Sequence, residues 1–172
     1  MKTRLAAVAA TAAVAAIAAI VSTAAPAAGN DTASLDRGRY LVRIGGCNDC
    51  HTPGYNEAAG KLPEAKWLTG SAVGFQGPWG TSYPANLRLY VQNMSEAQWL
   101  ARVRQPMRPP MPWFNLRDMS DRDLIALYHF IRTLGPSGAP APLALGPGEP
   151  VATPYIEFVP KNLPAPIKHA RR

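Results

Sequence analysis

Cysteine is nearly absent from this 172-residue chain: there are two, Cys47 and Cys50, and three histidines accompany them. A structural zinc site needs four ligands at suitable spacing, and His129 and His169 stand far from each other with no further cysteine to help. No block of basic residues is interleaved with aromatics, so nothing points to nucleic acid. No segment repeats, which excludes a duplicated unit. The length suits one domain and is short for two.

What is present begins with an export signal. Lys2 and Arg4 open the chain, residues 5–21 carry no charge, and residues 22–28 are small and cleavable. The run is alanine-dominated and somewhat short for a membrane span, so removal of residues 1–28 is favoured over an uncleaved anchor. Such a leader places the mature protein in the periplasm. The chain carries 18 basic and 11 acidic side chains, a net charge of +7, and two of the positive charges leave with the leader. The modest balance that remains suits an acidic protein partner and equally an ordinary solvated surface.

Beyond the leader, Leu35, Leu41, Val42 and Ile44 follow a helical stripe and predict a first helix over 34–44, ended by Gly45 and Gly46. Residues 52–88 are rich in glycine and proline without sustained periodicity and read as a long loop with Trp67, Phe75, Trp79 and Tyr83 in it. Ser95 and Gln98 have the form of a capping box, with Met94 and Trp99 in staple positions, and predict a helix over 96–104. Pro106, Pro109, Pro110 and Pro112 force an extended loop over 105–113. A second cap at Ser120, with Met119 and Leu124 in staple positions, opens a last helix that stops before Gly135-Pro136. The domain is therefore expected over 29–135. The proline-dense residues 136–172 form an extended tail that wraps the domain or stays mobile, without a recognised ligand in it.

The chemistry lies in Cys47-Asn48-Asp49-Cys50-His51. Two cysteines one helical turn apart can hold both vinyl positions along one porphyrin edge, and the adjoining imidazole can ligate the iron. CxxCH thus predicts one covalent haem c, with Cys47 and Cys50 as thioethers and His51 as proximal ligand. A thioredoxin-like reading of CxxC would need a preceding strand, whereas the approach here is helical and glycine-ended. For the other face of the iron, Met94 and Met119 already have staple roles, His129 sits beside an apolar helix face and His169 lies in the tail. Met107 and Met111 remain. Pro109, Pro110 and Pro112 flank Met111 and restrict its backbone, which favours it over Met107.

Residues 35–134 resemble a class I cytochrome c, similar to monohaem bacterial periplasmic cytochromes of dehydrogenase electron-transfer chains. The stretches that carry the resemblance are Gly38-Arg39-Tyr40-Leu41-Val42, the haem motif through Pro53, Gly77-Pro78-Trp79-Gly80-Thr81, Ala85-Asn86-Leu87, Met111-Pro112-Trp113 and residues 121–134. It implies an all-α cytochrome c fold with the first and last helices crossing near the haem, at Gly38 and Tyr128. It also places the distal methionine at Met111 and offers the Pro63 carbonyl to the second ring nitrogen of His51. Trp79, Tyr83, Asn86 and Arg88 are the expected propionate donors. With both axial positions filled by protein, the expected role is an electron carrier, not an enzyme, passing electrons from a donor such as a dehydrogenase to a downstream acceptor. Two alternatives stand beside it: a haem subunit fixed in a membrane dehydrogenase or oxidase complex, and a ligand-binding or peroxidase-like haem protein if the distal side is open.

Overall fold

The computed structural model describes residues 32–163. The leader, with its expected cleavage point, the final nine residues and His169 therefore lie outside the described part. The helices α1 (Thr32–Ile44) and α6 (Asp121–Thr133) form the centre of the domain and make its most extensive contact. Their inward faces follow the helical period: Gly38, Leu41 and Val42 on α1, and Leu124, Leu127, Tyr128 and Ile131 among those on α6. The two helices touch closely because Gly38 has no side chain. A Cβ there would lie 2.1 Å from the Ala126 carbonyl oxygen and 2.6 Å from Phe130 Cβ.

That geometry corrects the expected crossing. Gly38 meets Ala126 and Phe130, while Tyr128 faces α4 (Glu96–Val103), stacking obliquely at 6.2 Å on Trp99 and donating to the Met94 carbonyl at 2.5 Å. Alanine at Gly38 gains helix propensity, but it must displace the backbone of a packed helix. We expect Gly38→Ala to cost about 2–3 kcal/mol. A urea midpoint unchanged or raised in this variant would contradict the contact.

The caps form as the sequence indicates. At α4 both halves of the box are made, Gln98 N–H donating to Ser95 Oγ at 3.3 Å and Ser95 N–H to Gln98 Oε1 at 2.8 Å. At α6 the Asp123 N–H donates to Ser120 Oγ at 3.1 Å. Met94 and Met119 pack against the buried core, and Trp99 Nε1–H donates to the Leu124 carbonyl at 2.8 Å. Three short helices complete the set: α2 (Cys47–His51), α3 (Leu87–Tyr90) and α5 (Trp113–Asp118).

The structure departs from an all-α reading in two places. Residues 74–82, read as loop, form a hairpin of β1 (Gly74–Gly77) and β2 (Gly80–Ser82), turning at Pro78 and Trp79. From the tail, β3 (Tyr155–Glu157) then adds to β1 in parallel, giving the sheet order β2-β1-β3. Strands of three and four residues are too short to print an alternating pattern, and the β1–β3 pairing joins segments far apart in sequence.

The described part of the tail, residues 136–163, returns to pack on the domain. Gly74 N–H donates to the Pro154 carbonyl at 2.8 Å, Phe158 N–H to the Gln76 carbonyl at 2.7 Å, and Leu145 exchanges both backbone bonds with Thr81. The tail approaches so closely that a Cβ at Gly80 would stand 2.2 Å from the Leu145 carbonyl oxygen. No helix among the described residues is long and apolar enough to cross a membrane.

Candidate functional site

The chain leaves α1 through Gly45 and Gly46, and Gly46 adopts a left-handed conformation at φ 68°. That reversal starts α2 at Cys47. A buried polar chain fixes the inner side of α2: Thr52 Oγ1–H donates to Asn48 Oδ1 at 2.7 Å and itself accepts from Leu68 N–H at 2.8 Å. With Asn48 pointing inward and Asp49 outward, Cys47 and Cys50 fall one turn apart, both half-buried and not joined to each other. Among the described residues no strand precedes the motif, unlike a thioredoxin-like arrangement. Burial pushes the Cys47 thiol up to about 11, and burial with the nearby Asp49 charge raises Cys50 as well. Neither is a thiolate at neutral pH, as disulfide exchange would require.

His51 closes the turn. Its Nδ1–H donates to the Ala85 carbonyl at 2.7 Å, and its own carbonyl accepts from Gly70 N–H at 2.8 Å. Burial lowers the imidazole pKa, opposed by the Ala85 bond, and the neutral ring carries its lone pair on Nε2. An anchored Nδ1–H is how a ligating histidine is oriented and made more basic. The anchor is Ala85 and not Pro63. The Pro63 carbonyl accepts from Lys66 N–H at 2.9 Å, closing the 3-10 turn at Glu64–Lys66. A backbone acceptor has no residue-type signature, although Ala85 lies inside one of the stretches that carry the family resemblance.

The four expected propionate donors separate. Trp79 Nε1–H is buried without a protein acceptor, and the indole ring packs 6.1 Å from Phe158. Tyr83 shares a hydrogen bond with Thr153 Oγ1 of the tail at 2.8 Å. Asn86 caps α3 with its Oδ1 and spends its amide group on the Ser137 and Ala139 carbonyls at 2.8 and 3.1 Å. Arg88 is 6% exposed and donates to the Gly135, Ala65 and Leu134 carbonyls, two of which follow the end of α6. Asn86 and Arg88 thus fasten the C-terminal end of α6 and the start of the tail.

Of the sulfur and imidazole candidates, Met94 and Met119 are taken into the core. His129 Nε2 lies 2.9 Å from Glu96 Oε1, within ion-pair reach but without hydrogen-bond alignment. Met107 and Met111 are half-buried on the loop between α4 and α5, and neither joins the core cluster. Both sequence-level choices therefore survive. A cavity of about 710 Å³ opens beside α1, lined by residues such as Asp36, Arg39 and Tyr55, but it includes none of these groups.

Two unpaired thiols on one turn, an anchored imidazole with a free Nε2 and a buried indole N–H without a protein partner together fit a covalently held haem. A family model described as Cytochrome c matches residues 35–135, more than half of the chain. The match runs from within α1 to just past α6 and stops before the tail that supplies β3. Comparison with curated proteins and with solved structures gives no match.

Proposed function

We propose that this chain, which belongs to the cytochrome c family and is therefore a haem protein of electron transfer, is a periplasmic class I carrier of single electrons with one covalent haem. The observation that carries this reading is the His51 ring, fixed through Nδ1 by Ala85 immediately after two unpaired thiols on one helical turn. When bound, the haem supplies a reversible one-electron change at iron. Cys47 and Cys50 would hold it through thioethers, His51 would offer Nε2 to the iron and Met111 would offer its sulfur as the second ligand. Trp79 has a free N–H that could donate to a propionate, and Tyr83, joined to the tail, stands beside the same hairpin.

Protein ligands on both sides leave no open position for a substrate, so the protein transfers electrons without catalysing a reaction. A thioether sulfur as distal ligand favours reduced iron and raises the potential. A dehydrogenase on the donor side and a downstream oxidase on the acceptor side fit that direction of flow. The test is to produce the full chain in a host that matures c-type cytochromes and to record oxidised and reduced spectra during a redox titration. The expected result is low-spin iron, a sulfur-to-iron band in the oxidised form and a single one-electron wave. High-spin iron that binds carbon monoxide readily would instead identify a ligand-binding or peroxidase-like haem protein.

A further inference from the structure

We propose that the tail beyond the matched domain is a positioning element for the distal ligand, holding the methionine loop at Arg108 against the same sheet whose Ser82, in β2, holds Pro109; this rests on the reading above that a methionine of that loop ligates the iron. Two side-chain bonds join the loop to elements outside it. Arg108 Nη1–H donates to the Leu145 carbonyl at 2.9 Å, and Ser82 Oγ–H donates to the Pro109 carbonyl at 2.5 Å. Met107 adjoins the first anchor, and Met111 follows the second by two residues.

Both anchors are themselves fixed. The Leu145 carbonyl also accepts from Thr81 N–H at 3.1 Å, and Leu145 N–H donates back to the Thr81 carbonyl at 2.9 Å. Thr81 is almost wholly buried in β2. Further along, β3 pairs with β1, Phe158 stacks near Phe75 and Trp79, and Thr153 bonds Tyr83. The carbonyl at Leu145 is thus a rigid point on the sheet, and Arg108 ties the loop to it. The base of the loop is held separately, where Arg104 bonds the Arg117 carbonyl and Asp121.

The physical consequence concerns ligand strength. Proline limits the conformations of residues 105–112 but does not choose where the loop sits. A weak thioether ligand competes with water and external bases in proportion to the fraction of time the loop spends in the binding position. Ties at Arg108 and Pro109 raise that fraction.

The test uses the full-length holoprotein as wild type, as the Ser82→Ala/Arg108→Ala double variant and as Arg108→Lys, which keeps a donor for Leu145. Both bonds lie at the surface, so folding is not at stake. In the double variant, amide hydrogen exchange across residues 104–112 should quicken about tenfold, the change expected when two hydrogen bonds of ordinary net strength are lost. Imidazole, read by the absorption spectrum, should bind about tenfold more tightly, with α6 exchange unchanged and Arg108→Lys close to wild type. Loop exchange within about twofold of wild type in the double variant overturns the clamp. Faster loop exchange with unaltered imidazole binding overturns its role in positioning the ligand. If the wild type itself lacks the sulfur-to-iron band, the methionine assignment fails and the positioning role with it, while the exchange measurement still decides whether the sheet and tail together hold the loop.

Discussion

Serine at both Cys47 and Cys50 is expected to give a protein from which acid-acetone removes all haem, against complete retention in the wild type. Thioether bonds survive that extraction and coordination by His51 alone does not. The prediction is specific because the two thiols lie on a single turn and the chain has no third cysteine to substitute. Cys50→Ser alone should retain haem through one bond with a shifted spectrum. Loss of haem also removes what the helices pack around, so the double variant should unfold at lower urea concentration than the wild type. Recovery of a colourless wild type with a Cys47 to Cys50 disulfide, from a host able to attach haem, would refute the assignment.

Met111→Ala should abolish the sulfur-to-iron band, lower the potential and tighten external imidazole binding by at least about tenfold, because the internal ligand no longer competes. Met107→Ala should leave all three unchanged. The structure does not make the choice: Met94 and Met119 pack against the core, half-buried, and His129 Nε2 lies 2.9 Å from Glu96 without a hydrogen bond. Between the two loop methionines, the prolines at 109, 110 and 112 favour Met111, and the Trp113 N–H, donating to the Met111 carbonyl at 2.8 Å, fixes its backbone at the entrance to α5. Opposite behaviour of the two variants would move the ligand to Met107. A wild-type spectrum in both would point to His129 or to an open distal position.

Much of the fold was legible locally. The period of apolar residues in 34–44 and 121–134, the Ser95–Gln98 box and the Ser120 cap depend on neighbours within one turn, and the structure forms each of them. The haem motif was legible for the same reason, since the residues proposed for attachment and proximal ligation are five consecutive ones. The sheet was not. Its strands are three or four residues long, and β3 pairs with β1 across most of the domain, so no local pattern announces it. Nor was it legible that Asn86 and Arg88 donate to backbone carbonyls at 134–139, because any sequence supplies such acceptors.

The sequence by itself therefore determined the helical framework, since residue identity and short spacing fix it, and the CxxCH motif and loop methionines supply the proposal of an attachment point, a proximal histidine and a distal ligand. Only the tertiary structure decided which carbonyl anchors His51, which residues Gly38 meets, and that the proline-rich tail returns to join the hairpin and hold the methionine loop. Those outcomes depend on backbone groups, common to every residue, meeting across long stretches of chain, and side-chain chemistry along the sequence carries no mark of them.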